Sequence, residues 1–295
     1  MSASWTTRRR FNDRPNQMHR IANTTVLASI LVFWLPVSNR VNGQDVGPEK
    51  GSLEIVGGGG MGNDIRDRFI ELAGGKEARI AIVPTASSRN ENLDGALREW
   101  KSRGVENAFL VHTRDRDKAG SDEFVELIDS ASGIWFGGGR QWRIADAYLG
   151  TKSEDAFRRV LERGGVIGGS SAGATIQGSY LARGDTSGPD IMMGDHEQGL
   201  ALLKNTAIDQ HLLKRNRQFD LLEIIDAHPK LLGIGIDEGT AIVVRGDTFT
   251  VMGESYVAIY DADKTTTREP FYLLSRGQRF DLKQRRVLSR TRSRR

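Results

Sequence analysis

The sequence predicts an α/β protein: a doubly wound, mostly parallel sheet flanked by helices and closed by a C-terminal antiparallel section. Three observations predict it. Short β-rich apolar runs end in turn residues, helix-period segments separate them, and glycine-rich stretches fall at the carboxyl ends of the runs. Parallel α/β sheets collect their functional groups at those ends. The first run is Leu53 to Val56, followed by four glycines, and the second is Arg79 to Val83, followed by Pro84 and Thr85. Between them Ile65, Phe69 and Leu72 recur at helical spacing. The alternation continues through Leu93 to Trp100, Ala108 to Val111, Phe124 to Ile128 and Ile134 to Phe136, and Gly165 to Gly168 is a further run. After Asp237 the pattern changes. Ala241 to Val244, a Gly246-Asp247 turn, Thr248 to Met252 and Tyr256 to Tyr260 read as antiparallel strands, not as another βαβ unit.

A chain of 295 residues, 38% of them hydrophobic, fits one large domain with a buried core, and no internal repeat divides it. The net charge of +4 is unevenly placed. The first 44 residues carry six Arg against one Asp, and the last 13 carry seven Lys or Arg and no acid, so the body between is acidic. That excludes a uniformly basic nucleic-acid binder. Arg8 to Arg10 and Arg20 precede an apolar stretch from Val26 to Val37, the layout of a secretory signal with cleavage expected before Gln44. The alternative is an uncleaved membrane anchor. The expected organisation is therefore a signal peptide over 1–43, the functional domain over 44–282 and a basic tail over 283–295, solvated or in contact with anionic surfaces. Without cysteine there is no disulfide.

Gly169-Ser170-Ser171-Ala172-Gly173 lies between a strand-like run and a helix-permitting stretch, and has the G-x-S-x-G spacing of a nucleophile elbow. The glycines allow a sharp turn that bulky neighbours would block, and Ser171 becomes a candidate nucleophile. The Ala172 N–H is placed to donate to a developing oxyanion. Gly137 to Gly139, after another strand, could supply a second donor from Gly138 or Gly139, with Gln141 opening the next helix. Gly57 to Gly60 with Gly62 misses the dinucleotide spacing and reads as a tight strand-to-helix turn approaching the site.

A serine hydroxyl needs a base, and five histidines are available. His19 falls in or before the signal, His112 ends a strand, and His196 and His228 sit in loops. His211, in Ile208-Asp209-Gln210-His211-Leu212, is the best candidate on local chemistry. Asp237 and Glu238 sit side by side at a strand end on opposite faces, and either could orient the base. No histidines have zinc-ligand spacing, so neither metal nor cofactor is expected.

These motifs, in this order, resemble the cyanophycinase (peptidase S51) family, serine peptidases related to peptidase E. The resemblance covers most of the chain after the signal. It rests on Gly168 to Ala174, Asp209-Gln210-His211 with Arg215 and Arg217, and Gly235-Ile236-Asp237-Glu238, and Phe136 to Ile144 is similar to a Gly-Gly-Asp-Gln loop. It implies a fold like the class I glutamine amidotransferases (flavodoxin-like), Ser171 as nucleophile, His211 as base and Glu238 as acid. It also implies Gln141, Asp209, Gln210, Arg215 and Arg217 as substrate-binding positions, an aspartyl peptide or cyanophycin (multi-L-arginyl-poly-L-aspartate) as substrate, and a homodimer. Two positions depart from the family pattern: Arg140 replaces the loop's Asp, and Gln218-Phe219-Asp220 replaces a third basic residue.

Overall fold

A computed structural model describes residues 45–88 and 93–288. The expected signal over 1–43 and the last residues of the basic end lie outside them. In chain order the first half comprises β1 (Ser52–Val56), α1 (Asn63–Leu72), β2 (Ile80–Val83), α2 (Leu93–Lys101), β3 (Ala108–Leu110), α3 (Arg116–Ala119), α4 (Asp122–Asp129) and β4 (Gly133–Phe136). Then follow α5 (Trp142–Tyr148), α6 (Lys152–Glu162), β5 (Val166–Ser170), α7 (Ala172–Thr175), β6 (Thr206–Gln210), α8 (Leu221–Ala227) and β7 (Leu232–Ile236). The chain closes with β8 (Thr240–Arg245), β9 (Thr248–Gly253), β10 (Tyr256–Tyr260), β11 (Tyr272–Ser275), β12 (Arg279–Asp281) and β13 (Arg286–Leu288).

The main sheet runs β13-β12-β9-β8-β1-β5-β4-β2-β3, with β1, β5, β4, β2 and β3 mutually parallel. Its central parallel strands β1, β5, β4 and β2 are buried on both faces, which is why they read as continuous apolar runs. On β4, Ile134 and Phe136 join a core with Phe157 of α6 and Ile144 of α5, while Trp135 points to the other face. There Phe69 of α1, Trp100 of α2 and Trp135 pack with ring centroids 4.9–5.3 Å apart. Helices thus cover both faces, as a doubly wound sheet requires.

Two features differ from the sequence expectation. Thr206–Gln210, which no periodicity marked, is a strand, and with β7, β10 and β11 it forms a second sheet ordered β11-β10-β7-β6. One edge of β6 pairs with β7, and Tyr180 bridges to Ala207 at the other, so β6 forms no ladder with β5. The antiparallel section is therefore shared: β8 and β9 extend the main sheet from β1, and β10 pairs with β7. The second difference is the basic end. Residues 283–288 are not a solvated tail, because β13 pairs with β12, Lys283 bonds Asp45 at 3.1 Å, and Arg285 bonds the fully buried Asp261 at 2.9 Å.

Candidate active site

β5 ends at Ser170, and the chain turns at once into α7, leaving Ser171 at φ 57°, ψ −113°. A non-glycine residue holds such a conformation only where its surroundings fix it. Here close packing does so. A β-carbon on Gly169 would lie 2.4 Å from the Gly173 carbonyl oxygen, and one on Gly173 would lie 2.1 Å from that of Phe136. The Ser171 N–H donates to the Val56 carbonyl at 3.1 Å, which ties the elbow to β1.

His211 follows β6 directly, is buried, and also has a positive φ of 57°. Its N–H donates to the Gly57 carbonyl at 2.8 Å. The ring bridges two partners: Nε2 lies 3.0 Å from Ser171 Oγ, and Nδ1 lies 2.6 Å from Glu238 Oε1. With the Nδ1 proton donated to the carboxylate, Nε2 is left as an acceptor for the serine proton. Burial pushes His211 below its ordinary pKa and Arg215 adds to that, while the Glu238 hydrogen bond works in the opposite direction. The net lowering favours the neutral ring, the form that can accept a proton.

Distance separates the adjacent carboxylates. Asp237 Oδ1 accepts from the Leu213 and Lys214 N–H groups at 2.9 Å, and its Oδ2 accepts from Ser255 Oγ at 2.6 Å. Asp237 thus holds the loop after His211, and Glu238 faces the imidazole. The glycines after β1 make room for both groups. A β-carbon on Gly58 would sit 2.3 Å from His211 Cε1, and one on Gly59 would sit 2.5 Å from a Glu238 carboxylate oxygen.

Gly138 and Gly139 lie exposed beside Ser171, between the Gly137 N–H bonded to Val83 and the Arg140 N–H bonded to Ala86. A β-carbon on Gly138 would be 3.5 Å from Ser171 Cβ. Ala172 is the first residue of α7, where an N–H has no intrahelical carbonyl to meet. Of the groups named as oxyanion donors, Ala172 thus follows the serine in the chain and Gly138 packs against it, while Gly139 packs against Ala86.

The expected substrate-binding set divides. Arg215 is exposed beside the histidine, but Gln141 is buried and its amide donates to the Ala182 and Arg183 carbonyls at 2.7 and 2.9 Å. Gln210 is buried too, and its side-chain oxygen accepts from Arg217 at 3.2 Å. Burial and the nearby Arg183 charge push the Arg217 guanidinium below its ordinary pKa. Asp209 is fully buried, and both its oxygens are held by Arg183 at 2.8 and 3.0 Å. A carboxylate so occupied cannot meet a substrate cation, and Gln141 and Asp209 serve as internal supports.

Arg183 is the residue that the sequence did not reveal. It is 2% exposed, has φ +58°, donates to the Pro189 carbonyl at 2.9 Å, and also bonds Asp220. Burial works against its charge, but Asp209 and Asp220 outweigh this and hold its pKa above the ordinary value. Asp220, one of the two departures from the family pattern, thus belongs with a compensating cation 37 residues upstream. Only the charge mismatch near Arg217 hinted at such a partner.

The sequence profile of peptidase family S51 matches residues 54–252. The cyanophycinase of Nostoc sp. is 32% identical over 263 residues, covering 81% of this chain and 88% of the relative. The chain belongs to peptidase family S51. A second relative, the cyanophycinase of Geminocystis herdmanii, is 30% identical over 257 residues, covering 79% of this chain and 94% of that one. The crystal structure of a peptidase from an acI-B1 Actinobacterium superposes with TM-score 0.60 at 25% identity, over 80% of this chain and 98% of that one. A putative peptidase E from Listeria monocytogenes shares the fold, with TM-score 0.50 at 16% identity over 70% of this chain and 99% of that one. The S51 match takes in Ser171, His211 and Glu238 together, and the chain is a peptidase of that family.

Proposed function

We propose that this S51 peptidase is a serine-type exopeptidase that hydrolyses cyanophycin to β-Asp-Arg dipeptides. The observation that carries the reading is the continuous Ser171–His211–Glu238 hydrogen-bonded chain. Ser171 Oγ attacks the scissile carbonyl carbon as its proton passes to His211 Nε2, and the new oxyanion is met by the N–H groups of Ala172 and of Gly138 or Gly139. Collapse breaks the C–N bond, and His211 returns the proton to the leaving amine. Water, deprotonated by the same nitrogen, then releases the acyl group and restores Ser171. Glu238 stays ionised and holds the ring in the required tautomer. Residues 1–43 would export the protein before it meets the polymer.

A serine-directed phosphonate tests the mechanism: it should modify Ser171, and failure to label the folded protein would remove the serine-type reading. A second reading, a peptidase E-like enzyme acting on short aspartyl or β-aspartyl peptides, is favoured by the occupation of Asp209 by Arg183. Comparing cyanophycin with Asp-X and β-Asp-X dipeptides separates the two by the ratio of kcat/KM values.

A further inference from the structure

Beside Ser171 a groove of about 730 Å³ opens between the carboxyl ends of β2 and β4. The strand order reverses there, since the chain leaves β2 for β3 on one side and returns to β4 on the other. Open α/β sheets bind ligands at such switch points. Gly138 and Gly139 form one wall, so the groove begins at the expected oxyanion donors.

Arg140 and Arg143 line it, and Arg114 reaches its edge through a hydrogen bond to the carbonyl of Ser87, another lining residue. Arg140 donates to the Asp185 carbonyl, and Arg143 to the Ala86 carbonyl at 3.0 Å. Backbone carbonyls fix these guanidiniums without neutralising them, and among the described residues none of the three forms an ion pair. Glu99, on the same wall, is engaged by Arg66 at 2.8 Å. Burial, and to a lesser degree repulsion from Arg114 and Arg140, lowers the Arg143 pKa. Arg140 and Arg143 in the groove, with Arg114 at its edge and none of them ion-paired among the described residues, offer bidentate sites for carboxylates and repel cations.

We infer that Arg140, with Arg143 and Arg114, forms a carboxylate-binding subsite that holds the substrate next to the scissile bond and sets specificity there. This rests on the hydrolase reading above and adds the charge of the flanking substrate residue. An aspartyl backbone can present the carboxylate in two ways, as the α-carboxylate of a β-linked arginine or as a free aspartate side chain. In the first case the arginyl guanidinium must point away from the groove.

The test uses the full chain and three matched β-aspartyl oligopeptides, flanked by β-linked arginine, by β-linked argininamide, or by free aspartate. Amidation of the arginine carboxylate should lower kcat/KM about tenfold through KM, the loss of roughly one charge-assisted contact. Arg140→Asp should lower kcat/KM for the carboxylate-bearing peptides by a similar factor, and Arg140→Lys should recover most of it. Moderate salt should raise KM for wild type and much less for Arg140→Asp. Preference for the arginine or the free aspartate peptide identifies the source of the carboxylate. Equal kcat/KM for all three peptides, or an Arg140→Asp variant with unchanged KM for the carboxylate-bearing peptides, overturns the inference. Binding of poly-L-aspartate by calorimetry keeps the test independent of turnover. Weaker binding by Arg140→Asp supports the subsite even if no peptide is hydrolysed, whereas equal binding by both proteins removes it.

Discussion

Replacing Arg183 by methionine would keep most of the side-chain volume and remove the cation that neutralises Asp209. Asp209 has no exposed surface, and among the described residues both oxygens of its carboxylate receive bonds from Arg183 alone, at 2.8 and 3.0 Å. Breaking a buried pair by removing one partner costs about 3–5 kcal/mol, because the remaining charge is left uncompensated in a dry site. At roughly 2–4 °C per kcal/mol for a domain of this size, Tm should fall by about 6–20 °C. Urea and thermal unfolding of wild type, Arg183→Met and Arg183→Met/Asp209→Leu measure it. The double variant should recover to within about 1–2 kcal/mol of wild type, since the pair removed together leaves no fully buried orphan charge and Asp220, which loses the same cation, is 36% exposed. Asp220→Asn, at a partner 36% exposed, should cost only about 1 kcal/mol. A loss below about 1 kcal/mol in Arg183→Met would refute the reasoning, since it would mean that Asp209 finds other compensation.

Because His211 must be neutral to accept the serine proton, and burial followed by Arg215 holds its pKa below the ordinary 6.5, kcat/KM should rise with pH through a midpoint below that value. Arg215→Gln should move the midpoint up, and Glu238→Gln should move it down while lowering the rate by about 10⁴-fold; a pH profile of each variant checks both. Gly58→Ala should fold but lose on the order of 10²-fold in kcat, because the added methyl collides with the His211 ring from a backbone at φ +108°; full activity would show that the glycine turn is not needed beside the ring. Glu54 is fully buried with neither carboxylate oxygen bonded, and desolvation holds its pKa well above the ordinary value. The unfolded chain ionises it near pH ~4.3, so folding above that pH must take up a proton and stability falls as pH rises. Glu54→Leu should therefore gain about 1–3 kcal/mol near neutrality and less in acid, read by urea unfolding at two pH values; a pH-independent difference would contradict this.

The parallel core was legible because strands buried on both faces leave continuous apolar runs, as in Ile80 to Val83 and Ile134 to Phe136. The elbow was legible because its glycines are required within a few residues of Ser171. β6 was not: Thr206-Ala207-Ile208-Asp209-Gln210 carries two polar side chains at its end, and they are buried only because Arg183 and Arg217 meet them. The Glu238-over-Asp237 assignment is a matter of which face meets His211, and alternation alone leaves that choice open until β6 and β7 are paired. Arg183 lies 26 residues from Asp209 in a segment without regular structure, so no local spacing records the pairing.

The central claim is that Ser171, activated by His211 and Glu238, cuts an aspartyl polymer from its end. Incubating the full chain with purified cyanophycin, with mass detection of products, tests it most directly. The account predicts β-Asp-Arg as the accumulating dipeptide, formed roughly 10³-fold or more slowly by Ser171→Ala. Absence of the dipeptide with active wild-type protein, or its formation at an equal rate by Ser171→Ala, would contradict it.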